Sequence, residues 1–434
     1  MIKSKRIAEW VKTALIVLLT ASAMILGWRT ALFNDFFNSI PFLGNIAGLV
    51  AGSTPAAPAV SMDAEAVRPL TIVVTDDNGI RHGIKYDVVE RNNAYDRISS
   101  IFAEALGSMA EPVEISEETW RTALFTPGVY FEYIMPVRLS VLDGWLGVRM
   151  PEFAEDISLR RIFVAFSGDT NRIYFEDAVS GVFYGADTAS ARSIQEMYST
   201  DPNGAVFAFE TGLAVAENAP YMLIMPGNTH PFIRAMITGS AQEHLATVLF
   251  AFGLENETIH SSYDSDGARR YLGTHFNIRV ESNGRVTYRL TGGVQMTEGY
   301  PLKSESEMIE VARAIVADTI SGHSSGEAEI FFEKIEQDSG NSFSVTFGYY
   351  IAGGRVHLFE DGHAARITFS DGVVVEAELI FRNFSVITGE YATLLPEKQA
   401  LAAAGGEFML SFPYAGAEKL MPSWIKYGFG GSDF

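Results

Sequence analysis

One short stretch decides where the rest of this chain has to fold. Between Lys12 and Arg29 lies a run without a charge, Thr13–Trp28 (TALIVLLTASAMILGW). At about 1.5 Å per residue a helix of that length covers roughly 24 Å, somewhat less than the ~30 Å hydrocarbon core of a bilayer. Lys12 and Arg29 reach outward to make up the difference, and Trp10 and Trp28 would stand about 27 Å apart, as an aromatic belt requires. Lys3, Lys5, Arg6 and Lys12 stand against Glu9 alone, a local net of +3 that leaves −24 on the rest of a chain whose total is −21. Positive charge ahead of an apolar run keeps the N-terminus inside and sends the C-terminal bulk across.

The competing reading is a cleaved leader, because Ala21-Ser22-Ala23 has the small-x-small form of a cleavage site. Its hydrophobic part would then be Thr13–Thr20 alone, whereas the apolar run continues through Met24–Trp28, so retention is the expectation. Residues 1–12 are thus expected in the cytoplasm, 13–33 as a transmembrane helix, and 34–68 as a juxtamembrane stub and spacer. Phe33, Phe36, Phe37 and Ile40 recur at helical spacing ahead of Pro41, which fits an amphipathic stub or an apolar linker equally. Gly52–Ser61 (GSTPAAPAVS) reads as a semi-extended spacer.

The acidic remainder repels phosphates and anionic headgroups, which excludes nucleic acid as a partner and stands the body off the bilayer. With 47% hydrophobic residues it has the material for real cores. There is no cysteine, so disulfides, zinc–thiolate sites and cysteine nucleophiles are ruled out. An exported protein of this length without disulfides suits a Gram-positive cell surface.

The folded part begins near Pro69. Leu70–Thr75 is a β-branched run, Asp76-Asp77-Asn78-Gly79 a tight turn, and Ile80–Tyr86 the returning strand. Asp87–Met109 has helical spacing, Ser116 caps a helix over Glu117–Leu124, and Val129–Ile134, Arg161–Phe166 and Arg172–Phe175 read as strands. A helix is predicted around Thr188–Tyr198, a short strand at Tyr221–Met225 and a helical segment at Pro231–Phe252. Phe276–Glu281 and Arg285–Leu290 flank the hairpin signal Ser282-Asn283-Gly284. Ser304 and Glu307 form a capping box that opens a helix over Glu305–Ile320, with strands at Glu327–Glu336 and Ser342–Ile351. Ala364–Phe369 and Val373–Phe381 then flank a second such turn, Ser370-Asp371-Gly372. Helix followed by antiparallel meander therefore occurs twice, a possible duplication. No βαβ alternation is sustained, so the class is α+β. The expected domains are 69–214, 215–298 and 299–434.

Phe276–Leu290 (FNIRVESNGRVTYRL), Phe347–Leu358 (FGYYIAGGRVHL), Ala364–Arg382 (AARITFSDGVVVEAELIFR) and Leu420–Trp424 (LMPSW) resemble the YycH/YycI proteins, membrane-anchored extracytoplasmic regulators of a cell-wall two-component system. The resemblance implies later domains of helices packed on antiparallel sheets, the last one PepSY-like. It also implies contact with a membrane sensor histidine kinase of the WalK/YycG type, part of it between transmembrane helices, and leaves room for pairing with a homologous regulator or with itself. It carries no catalytic motif.

Chemistry readable in the residues themselves is sparse. Gly322-His323-Ser324-Ser325-Gly326 satisfies G-x-S-x-G, but a nucleophile elbow needs a strand before the serine and a helix after it, and here the order is reversed. The eight histidines form no H-x-H or H-E-x-x-H pair, and His357 and His363 read as solvated residues flanking a turn. Asp264-Ser265-Asp266-Gly267 begins like a calcium loop, yet Arg269 and His275 occupy positions where that loop needs Gly and Glu, so an Asx-type turn is expected. Glu376 and Glu378 fall on one face of one strand and read as a solvated acidic face. Of Tyr130, Phe131, Tyr133, Phe347, Tyr349 and Tyr350, alternation sends about half inward and half outward. No catalytic, cofactor-binding or metal-binding residue and no cofactor is expected. The residues with the best functional odds are Ala14, Ala21, Ala23 and Gly27, small side chains that let helices approach closely in lipid.

The expectation is thus a non-catalytic regulator held to a bacterial cell membrane by one span, with a cell-envelope hydrolase or a structural envelope factor as the alternative. Mass spectrometry of the membrane-extracted protein should return an intact N-terminal segment. A mature N-terminus at Met24 would remove the anchor.

Overall fold

A computed structural model describes residues 68–148, 157–167, 170–189, 202–291, 302, 304–322, 325–358 and 362–427. Among them no helix is long and apolar enough to cross a membrane. The expected span, its contact candidates Ala14, Ala21, Ala23 and Gly27, and most of the helix expected at Thr188–Tyr198 lie outside the described residues.

The N-terminal half starts with the predicted hairpin, β1 (Thr71–Thr75) and β2 (Arg81–Ile84). Asp76 builds its turn by accepting from the Asn78 and Ile80 amides, while Gly79 takes the left-handed position at φ +73°. Asp87 caps α1 (Val88–Gly107) by accepting from the Glu90 amide. The apolar stripe Tyr95, Ile98, Phe102 and Leu106 then lies at helical spacing against the sheet. After β3 (Val113–Ile115), Ser116 caps α2 (Glu117–Ala123) as expected. β4 (Gly128–Arg138), α3 (Leu139–Leu146), β5 (Ser158–Ser167), β6 (Thr170–Asp177) and β7 (Phe183–Asp187) complete a sheet of order β2-β1-β4-β5-β6-β7-β3.

Both faces of this sheet are covered. α1 lies on one, and α2 lies on the other together with a bridging segment that carries β8 (Val206–Phe207) and β9 (Leu223–Ile224). Tyr130, Phe131 and Tyr133 are consequently all buried, contrary to the expectation that half would face out. The Phe131 ring lies tilted against Phe102 at 4.6 Å, while Tyr130 turns to Phe207 at 5.1 Å on the opposite face. Phe347, Tyr349 and Tyr350 are buried for the same reason, with Tyr350 packed against Ile134 of the N-terminal half.

The C-terminal half corrects one predicted helix. Pro231–Phe252 splits into a strand, β10 (Thr229–Ile237), and a helix, α4 (Ala241–Ala251), capped by a Ser240–Glu243 capping box. Gly239 at φ +76° separates them. β11 (His260–Tyr263), β12 (Arg269–Leu272), β13 (Phe276–Val280) and β14 (Arg285–Leu290) follow as a meander. α5 (Glu305–Val316) opens on the predicted Ser304–Glu307 capping box and runs into a π-helical turn over Ala317–Ser321. β15 (Ser325–Gly326), β16 (Glu329–Ser339), β17 (Ser342–Ile351), β18 (Gly354–Leu358), β19 (Ala365–Ser370), β20 (Val373–Ile380) and β21 (Arg382–Thr393) come next. The chain closes with α6 (Glu397–Ala404), β22 (Phe408–Tyr414), β23 (Lys419–Leu420) and β24 (Ser423–Lys426).

The two helix-plus-meander units do not form separate domains. Their last strands, β14 and β20, pair antiparallel from Arg285↔Ile380 to Arg289↔Glu376, which fuses both meanders into one sheet that β18 extends through β22 and β24. Antiparallel pairing of equivalent strands is what a local two-fold axis produces, so the repeated plan is arranged as a side-by-side pair. The expected boundary at 298/299 is bridged by this pairing, and the one at 214/215 by β8 against β9. The described residues make one compact unit.

The Asn/Asp-Gly turns are held by backbone geometry. At Gly284, φ is +81°, and an added Cβ would stand 2.7 Å from the Phe381 carbonyl oxygen and 2.5 Å from Arg382. Gly267 has φ +84° and open space around it. Alanine at Gly267 should cost about 1–2 kcal/mol through the left-handed backbone alone. Alanine at Gly284 should cost more, because the carbonyl it meets is fixed in the sheet. Equal denaturation midpoints for the two variants would show that this close approach is absent.

Candidate functional site

The strongest concentration of buried charge lies where β4 and β5 meet the segment leading into β22. Relative to β6, β5 carries one extra residue between Leu159 and Ile162, and β4 bulges over the stretch between Glu132 and Val137. A bulge breaks the two-residue alternation and re-aims side chains. Here it lets the consecutive guanidiniums of Arg160 and Arg161 reach the same carboxylate. Arg160 donates to both oxygens of Glu407, Nη1 at 2.8 Å to Oε2, and its guanidinium lies 4.2 Å over the Tyr427 ring. Arg161 donates to Glu132 at 3.0 Å and to Glu407 at 3.1 Å, with Glu176 at 3.5 Å. Burial disfavours the charge on each arginine, but the glutamates outweigh it and hold both guanidiniums firmly protonated. Burial alone would raise the Glu407 carboxyl; Arg160 and then Arg161 bring it down to about 2.

A second buried cluster adjoins the end of β2. Glu397, in the first turn of α6, is fully buried. It accepts from Lys85 Nζ at 3.4 Å, from the Tyr86 hydroxyl and from the Met225 amide at 3.0 Å. Lys85 also donates to the Leu223 carbonyl at 3.2 Å. Burial and then Glu397 push the Tyr86 phenol well above its ordinary value. His230 of β10 is wedged between the Tyr86 ring at 4.7 Å and the Trp424 ring at 5.2 Å, both edge-on. Trp424 is fixed in turn by its indole N–H, which donates to the Leu395 carbonyl at 2.8 Å.

The residues singled out from sequence lie elsewhere. His323 and Ser324 are outside the described residues; α5 precedes them and β16 follows, the expected order. Asp264 and Asp266 sit in a hairpin turn where Asp266 accepts from the Ala268 amide at 3.1 Å, and both carboxylates pair with Arg279. Glu376 pairs with Arg289 at 2.7 Å, and Glu378 lies 3.3 Å from His363. Among the described residues no group of three or more His, Asp or Glu is placed to hold a metal ion. Neither buried cluster carries a recognisable motif. The usable signals were an acid inside an apolar strand, Glu132 in GVYFEYIM, and the doubled arginine in SLRRIFV.

Removing one partner from a buried ion network strands the others, so Glu407→Gln should destabilise the fold by about 3–5 kcal/mol. Glu390→Gln, at an exposed pair with Lys419, should cost about 1 kcal/mol or less. Urea denaturation followed by tryptophan fluorescence checks both. A comparable small loss for the two would mean that Glu407 is solvated.

No family model matches the chain, and no curated protein matches it. Among solved structures it is similar to YycH from Bacillus subtilis, with a TM-score of 0.49 and 13% identity over 83% of this chain and 93% of that one. It is similar more distantly to an uncharacterised protein from Eubacterium rectale, with a TM-score of 0.30 and 10% identity over 48% of this chain and 81% of that one.

Proposed function

We propose that this chain is a non-catalytic regulator of a membrane sensor histidine kinase, tethered outside a bacterial cell membrane by its N-terminal span and acting through protein–protein contacts. The observation that carries the reading is the local likeness of four segments to the YycH/YycI proteins. Those segments, apart in sequence, are the connected strands β13–β14, β17–β18 and β19–β20 of one sheet, with β23 and β24 at the chain's close. The small residues of the span, Ala14, Ala21, Ala23 and Gly27, give a kinase helix room to approach. Each such contact biases the kinase only by its differential affinity for the two signalling states.

The kinase should co-purify from detergent with the native chain. It should be lost when residues 13–33 are exchanged for an unrelated span, and weakened when Ala21, Ala23 and Gly27 become leucine. Undiminished co-purification after the exchange would take the span out of the interface.

A further inference from the structure

The contacts joining residues 68–189 to residues 229–427 are of two chemical kinds. On one side the end of β4 and α3 meet β16 and α5 mainly through apolar packing: Ile134 and Met135 cluster with Phe331 and Tyr350, Met409 and Tyr427 pack on the rim of that cluster, and the Trp145 ring lies 6.3 Å from Phe332 while its indole N–H donates to Glu310. On the other side the N-terminal sheet meets the 397–427 segment through charge, Lys85 and Tyr86 on Glu397, Arg160 and Arg161 on Glu407. These ion pairs share one polarity. The N-terminal half supplies the cation and the C-terminal half the carboxylate, as also in Arg91–Glu329 and Arg138–Glu305, which flank the apolar packing on the other side. His230 lies within the ionic side. It is buried, its Nε2 has no hydrogen-bond partner, and it is faced by Tyr86, by Trp424 from β24 and by the charge of Lys85, itself bonded to Glu397.

We propose that this ionic side is an acid-operated latch: a proton on His230, and at lower pH one on Glu407, releases the 397–427 segment from the N-terminal sheet while the apolar side holds as a pivot. The physical reason is that a closed latch has nowhere to put the proton. An imidazolium there would be desolvated, without an acceptor on Nε2 and under the field of Lys85. Burial first, and Lys85 second, bring the His230 pKa from 6.5 down to about 4. An open latch exposes the ring to water and accepts the proton near the ordinary value.

Linkage fixes the sign. The neutral histidine favours closure fully above pH 6.5, and that preference is lost as pH falls toward 4. The closing equilibrium weakens by about 80-fold at pH 4.5 and about 300-fold at the limit. Glu407, brought from 4.5 down to about 2, contributes above pH 4.5 and is lost below it, so its window lies below that of the histidine. The latch does not depend on any kinase, and its test uses none.

Hydrogen exchange on the full-length chain in detergent, with times scaled for the intrinsic pH dependence of exchange, reads the latch directly. Between pH 7.5 and 4.5, peptides covering Lys85–Asp87, Met225 and Glu397 should lose protection, while β1, β4, β17 and β19 keep theirs. His230→Phe should keep the latch peptides protected at pH 4.5. Glu397→Gln, which removes the charge but keeps a hydrogen-bonding group, should expose them already at pH 7.5, and it serves if the phenylalanine variant does not fold. Three results would each overturn the proposal: unchanged protection in the native chain, acid opening unaltered by His230→Phe in a folded variant, or simultaneous loss across β1 and β17.

Discussion

Two guanidinium groups set how the halves of this molecule have to meet. Arg160 and Arg161 lie on an inner strand, where removing an ion from water costs several kcal/mol unless it is paired and hydrogen-bonded. Glu132 on the neighbouring strand supplies one carboxylate. The other, Glu407, lies 247 residues further along the chain from Arg160. The N-terminal sheet therefore completes its own charge balance only when the C-terminal half has folded against it. The same holds on the other side of the sheet's first hairpin, where Lys85 finds its carboxylate in α6.

The C-terminal half meets a different constraint, that of unpaired strand edges. A four-stranded meander with one helix leaves its last strand with a row of exposed backbone donors and acceptors. Two copies of the plan resolve this for one another by pairing β14 with β20, and the result is one long sheet rather than two small domains. Burial on both faces then spreads from that choice, since β17 has α5 on one side and the N-terminal half on the other.

Much of the local structure was legible in the residues. Ser116 and Ser304 cap the helices they were expected to cap, because a side-chain oxygen one turn from an orphan amide acts within four residues. The Asp-Gly and Asn-Gly turns join the strands they were expected to join, and Ser342–Ile351 is a strand over its whole predicted length. The failures share a cause. Pro231–Ile237 has residues that suit either a helix or a strand, and what decides is pairing with β21, some 150 residues later. The aromatic runs were read as facing half outward because alternation says nothing about whether a second layer covers the outer face. The buried clusters escaped because doubled arginines and a lone glutamate look like surface residues until a bulge turns them inward.

From its order of residues alone this chain determined its turns, its helix caps, the sign of its surface charge and the absence of disulfide chemistry. Each of these is an interaction between near neighbours or a property of composition. Only the tertiary structure decided which strands share a sheet, which faces are buried twice and which cation meets which carboxylate. Those depend on segments brought together from hundreds of residues apart, and the free energy of burying a face or a charge exists only once they have met.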